Sequence, residues 1–211
     1  MLAPSIVFVD LETTGANPAL DRVIEVGIVK VTDGQIEYEW STLVDPGEPI
    51  PSLIQGFIGI TDAMVRGAPR FADIAEEVFA RIEGSLFVAH NARFDYGFLK
   101  NEFKRIERAF QPRVLCTVKL SRALYPEHHR HGLDALIARH HLACEARHRA
   151  LGDARVLWDF VKRVQAEKPP EAIQAALKKA LKTPSLPSGL ERSALDAVPE
   201  TPGVYLFHGE N

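Results

Sequence analysis

Residues 6–9, Ile-Val-Phe-Val, contain no polar side chain, and Asp10-Leu11-Glu12 follows without a break. A short apolar run rich in β-branched residues reads as a strand buried on both faces, which requires layers above and below it. Side chains alternate along a strand, so residues two apart point the same way. Asp10 and Glu12 therefore project together at the end of a buried strand, near the sheet edge where open α/β sheets place ligands. Two carboxylates this close repel unless a proton or a cation lies between them. A divalent cation is the natural resolution, and an all-oxygen ligand set suits Mg²⁺ or Mn²⁺.

The remaining pattern supplies those layers. Residues 23–31 and 35–44 are two further β-rich runs, and Asp33-Gly34 between them has the chemistry of a tight hairpin. Residues 45–51 are a loop by composition, and Thr61-Asp62-Ala63-Met64 reads as a short capped helix. Phe71, Ile74, Ala75, Val78, Phe79 and Ile82 recur at helical spacing, and Glu83-Gly84 ends that helix. A strand over 86–89, a helix over about 92–108 and a strand over 114–117 follow. Helices are then predicted near 118–124, 133–140 and 150–165. Strands alternating with helices predict an α/β layered sheet. With 46% hydrophobic residues, such a core is affordable. The texture changes after residue 166. A helix over 171–181 leads to a Pro/Ser linker at 183–189, which places a domain boundary near 167.

Further acids fall where helices begin. Asp95 sits in the first turn of its helix, at the edge of an apolar face. Asp153 stands four residues before Leu157 on the inward stripe of the last main helix, and His148 precedes it by five. A first-turn acid alone is often only a match to the helix dipole. An Asp-x-Glu pair, a later Asp and a His-x4-Asp, each at the entrance or exit of a suitable element, are far more specific together.

These blocks, Asp10 to Gly15 (DLETTG), His90 to Asp95 (HNARFD) and His148 to Asp153 (HRALGD), resemble the DEDDh 3′→5′ exonucleases. The stretches from Gly59 to Met64 and from His131 to Leu136 also look like the proofreading epsilon subunit of bacterial DNA polymerase III. The resemblance covers about residues 5–166. It implies an RNase H-like fold with a mixed five-stranded sheet flanked by helices. It implies two divalent metal ions, Mg²⁺ or Mn²⁺. Asp10, Glu12 and Asp153 would hold one, and Asp10 and Asp95 the other. It further implies His148 as the base that takes the attacking water's proton. Thr13, Thr14 and Gly15 would contact the terminal nucleotide, and His90, Asn91 and Phe94 would position the strand. Ile58 stands where relatives often carry a polar residue or His.

The implied partner is a DNA 3′ end in proofreading or repair, within a polymerase or repair complex. An RNA-trimming enzyme of the same fold and a catalytically silent nucleic-acid-binding module are the alternatives. The net charge of −3 is low for a nucleic-acid binder, but residues 100–155 hold twelve Lys/Arg against six Asp/Glu. His128-His129-Arg130-His131 does not match zinc-ligand spacing, and the resemblance implies a substrate-side segment there, a basic lip over the strand. Residues 193–207 resemble the opening of a GIY-YIG endonuclease domain, with Gly203-Val204-Tyr205 in its first signature. That divides the chain into an exonuclease domain at 1–166, a helix and linker at 167–192 and a truncated GIY-YIG-like start at 193–211. Two cysteines, no signal-like N-terminus and no membrane-length apolar run predict a cytoplasmic setting without a membrane.

Overall fold

The computed structural model describes residues 2–144 and 146–181. Strand β1 (Ser5–Thr13) runs through the apolar segment and continues past both carboxylates. It pairs antiparallel with β2 (Val23–Thr32), which pairs antiparallel with β3 (Gln35–Leu43). Asp33 and Gly34 both take positive φ, 50° and 82°, as a two-residue hairpin turn demands. Two short helices follow, α1 (Ser52–Ile58) and α2 (Asp62–Val65). Then come α3 (Phe71–Ile82), β4 (Leu86–Ala89), α4 (Arg93–Arg105), β5 (Arg113–Cys116), α5 (Thr117–Leu124), α6 (Leu133–His140), α7 (Ala150–Glu167) and α8 (Pro170–Ala180). The sheet order is β3-β2-β1-β4-β5, with β4 parallel to β1 and β5 parallel to β4. This is the layered α/β sheet that the sequence pattern predicts, and its five mixed strands are those that the resemblance implies.

Alternation on β1 sorts the core. Ile6 and Phe8 face one layer with Leu120, Leu136, Leu157 and Trp158 from α5, α6 and α7. Val7, Val9 and Leu11 face the other with Val78, Phe98 and Phe103 from α3 and α4. Burying one such large apolar side chain is worth about 1.5–3 kcal/mol, so a strand filled on both faces is strongly fixed in register. Asp10 and Glu12 share the parity of Ile6 and Phe8, so they lie on the α7 side.

Three differences from the sequence reading have physical causes. Helix α1 was not expected, because only Ile58 of its seven residues is buried and Ile54 alone joins it on the inward side. Thr61 makes no side-chain cap for α2. Instead the Asp62 carboxylate accepts from the Ile50 amide at 2.8 Å and from Gln55 Nε2 at 3.0 Å. Helix α8 packs Ile173, Ala176, Leu177 and Ala180 into the same core layer as α5 and α7. The GIY-YIG-like segment at 193–211 lies outside the described residues. Among those described, no helix is long and apolar enough to cross a membrane.

Candidate active site

The position of α7 decides whether the distant acids meet. In the β1–β2 ladder Asp10 stands opposite Gly27, and Glu12 opposite Glu25. Gly27 lets α7 land there. A Cβ at that position would lie 2.3 Å from the Ala150 carbonyl carbon and the Leu151 nitrogen. Buried Glu25 then ties the helix down, accepting from the Ala150 backbone amide at 2.9 Å and from Arg149 Nε at 3.0 Å. An acid accepting from the first amides of a helix satisfies groups that have no partner within the helix. Neither Gly27 nor Glu25 was expected from the sequence. Their signal is long-range, across more than 120 residues, and no local pattern reports it.

From this seat Asp153, in the first turn of α7, points back at β1. Asp10, Glu12, Asp95, Asp153 and His148 all line one cleft of about 460 Å³, together with His90, Asn91, Phe94, Phe57 and Arg147. A larger cavity of about 660 Å³ opens near Ser5, Phe110 and Arg113. Its lining contains one carboxylate, Glu83, so it offers no comparable chemistry. Ligand atoms of Glu12, His148 and Asp153 all lie within 4.8 Å of one another. Asp153 Oδ1 is buried without a hydrogen-bond partner. A buried, unpartnered carboxylate oxygen facing other acids is what a cation site requires.

The electrostatics agree. Burial, then the charges of Asp95, Asp153 and Glu12, hold the Asp10 carboxyl well above the usual carboxylate range. Burial and the Asp153 charge push Glu12 up to about 7. Burial pushes Asp95 up to about 8, against hydrogen bonds from its own and Leu11's backbone amides. Asp153 is raised by burial, with Arg147 opposing. Burial, then the charge of Arg147, lowers His90 to about 4, so that ring is neutral near pH 7. His90 Nδ1 is 2.9 Å from Thr117 Oγ1, and its buried Nε2 has no partner.

Backbone conformation also marks the cleft. Asn91 and His148 both have positive φ, 58° and 61°, uncommon for non-glycine residues and concentrated at functional sites. The His148 ring stands 4.6 Å, centroid to centroid, from the 66% exposed Phe57 ring of α1. The structure does not bring Thr13, Thr14 and Gly15 into the cleft lining. Thr13 Oγ1 donates to the Gly15 carbonyl at 2.6 Å, and Thr14 Oγ1 accepts from the Arg22 amide at 2.9 Å. Both hydroxyls are committed to the turn. His131 is buried between Ser121 Oγ at 2.8 Å and the His128 carbonyl at 2.9 Å, and so it is a packing residue.

The sequence profile of the exonuclease family (RNase_T) matches residues 7–160. The chain belongs to that family. A Mycobacterium tuberculosis protein named as a bifunctional exonuclease/endonuclease is 36% identical to this chain, over 96% of this chain and 33% of its own length. The PolC-type DNA polymerase III of Clostridium perfringens is 38% identical over 74% of this chain and 11% of its own. The chain thus spans about a third and about a tenth of these two relatives. Among solved structures, exonuclease X in complex with 5′-overhanging duplex DNA superposes with a TM-score of 0.65. It is 26% identical, over 82% of this chain and 99% of that one. The fold is RNase H-like.

Raised carboxyl pKa values fix how this chain responds to pH. With metal chelated, Glu12 and Asp95 stay protonated at pH values where the unfolded chain has lost those protons. Stability is then full below their ordinary values of 4.5 and 3.8, and falls as pH rises through about 7 and about 8. In EDTA the melting temperature at about pH 8.5 should lie roughly 3 °C or more below that at about pH 6. Added Mn²⁺ should raise it most at the alkaline end. Scanning fluorimetry across that range checks both, and a flat EDTA profile contradicts the assignment.

Proposed function

We propose that this protein is an exonuclease that removes nucleotides one at a time from DNA 3′ ends, using two divalent cations, Mg²⁺ or Mn²⁺, held by Asp10, Glu12, Asp95 and Asp153. The observation that carries this reading is the meeting of four carboxylates in one cleft, with a buried Asp153 oxygen left unpartnered. When bound, such cations supply an activated water and neutralise charge that develops on the phosphodiester.

The protein's own groups do the rest. His148 stands beside Glu12 and Asp153 and accepts the attacking water's proton, a task to which an imidazole is suited at neutral pH. His90, neutral and with Nε2 free, and Asn91 orient the strand's phosphate and sugar. Phe57 and Phe94, both lining the cleft, present ring surface to the terminal base. Stacking of this kind is sequence-tolerant, as stepwise removal requires. Thr13, Thr14 and Gly15 shape the turn beneath that base.

The biological setting follows the likenesses. Similarity to PolC-type polymerase supports proofreading, within a polymerase complex. The match to the mycobacterial bifunctional protein runs over 96% of this chain, beyond the family match that ends at residue 160. It supports a repair role, with residues 193–211 opening a GIY-YIG-like endonuclease domain. The test is a time course on 5′-labelled single-stranded DNA with Mn²⁺. A ladder shortened from the 3′ end is expected, absent in EDTA and slower on the matched RNA. Internal cuts, or equal activity in EDTA, contradict the proposal, and preference for RNA assigns the enzyme to RNA trimming.

A further inference from the structure

Among the described residues lining the acidic cleft, Arg147 alone carries a fixed positive charge. Its Nη1 donates to Asp153 Oδ2, while its Nε donates at 2.7 Å to Asp134 Oδ1, on α6. The two anchors differ. The Asp153 side chain is 4% exposed, that of Asp134 is 81% exposed, and that of Arg147 lies between at 29%. The guanidinium thus spans from solvent to the cleft floor, one end on a surface acid and the other on an acid that the proposed function assigns to metal.

We infer that Arg147 is a built-in counter-cation that competes with the divalent ion for Asp153. The inference rests on the reading of Asp153 as a metal ligand. Four acids in a desolvated cleft repel one another, and a cation placed among them relieves that cost. Arg147 supplies it from within the chain, on one oxygen of Asp153, leaving Oδ1 without a partner. A metal that takes both oxygens of Asp153 must displace a charge-assisted hydrogen bond, and one that takes Oδ1 alone binds beside the guanidinium's positive charge. The displaced guanidinium is not lost to solvent, because Asp134 still holds its Nε. Asp134 is therefore a resting place that makes the exchange reversible. The guanidinium's fork geometry matters, since it reaches both acids at once, which an ammonium on a lysine stem cannot do in the same way.

Calorimetric titration of Mn²⁺ into the EDTA-stripped full chain tests this without recourse to activity. The proteins compared are wild type, Arg147→Gln, Arg147→Lys and Asp153→Asn, each shown folded by its melting curve. Arg147→Gln should bind Mn²⁺ about tenfold more tightly, the equivalent of one charge-assisted hydrogen bond that no longer has to be broken. Arg147→Lys keeps the charge but not the fork, and should also bind more tightly than wild type. If Lys matches wild type while Gln tightens, charge alone is acting and the role of the guanidinium fork is refuted. If neither tightens, it is refuted outright. If wild type and Asp153→Asn bind Mn²⁺ alike, Asp153 is not a ligand, and both the inference and the metal reading beneath it fall.

Discussion

Asp10→Ala should slow release of 3′ nucleotides about a thousandfold or more. Cations of the kind assigned here stabilise a phosphodiester transition state by several kcal/mol, and each 1.36 kcal/mol is a factor of ten. Asp10 is the acid whose charge is felt against Asp95, Asp153 and Glu12 together, so its loss affects both of the proposed cation positions at once. The same substitution should raise the melting temperature in EDTA, since it removes a desolvated carboxyl from among like charges. Opposite signs in activity and stability separate loss of function from loss of fold. Asp10→Asn, which keeps the volume, should behave the same way. Activity within tenfold of wild type for either variant would sink the assignment.

Gly27→Ala should cost about 3 kcal/mol of stability, a large share of the roughly 5–15 kcal/mol that holds a domain folded. The added methyl would meet the Ala150 carbonyl carbon and the Leu151 nitrogen at 2.3 Å. Backbone atoms of a helix start cannot rotate aside as a side-chain tip can, so α7 must move as a unit. That movement would stretch the bond from the Ala150 amide to Glu25 and carry Asp153 away from Asp10. Chemical denaturation should show the lost stability. The fraction still folded should also bind Mn²⁺ more weakly than wild type. A melting temperature within about 1 °C of wild type would show that the contact relaxes at little cost.

Much of the architecture was legible because it rests on local periodicity. The apolar run before Asp10 gave β1, Asp33-Gly34 gave the hairpin, and the stripe from Phe71 to Ile82 gave α3 with its bounds. Asp95 and Asp153 were readable as inward acids because each interrupts an apolar stripe in a first turn. What escaped is non-local or leaves no stripe. Leu53 and Phe57 of α1 face solvent, at 83% and 66%, and only Ile54 and Ile58 pack inward, a stripe too short to betray the helix. Glu25 and Gly27 lie on a strand whose pattern says only that it is buried, and their work is done against α7. Arg147 is one of twelve basic residues between 100 and 155, and only the fold singles it out. Thr13 and Thr14 sit beside the acids in sequence, yet their hydroxyls are turned into the chain by short-range bonds.

The proposed sharing of cations by these carboxylates is tested most directly by anomalous diffraction from crystals of the full chain grown with Mn²⁺ and a nucleoside 5′-monophosphate. Anomalous peaks are expected in the cleft, ligated by Asp10, Glu12 and Asp153, with Asp95 on the second ion and Arg147 moved off Asp153. Clear density for the nucleotide with no manganese within bonding distance of Asp10 would contradict the account.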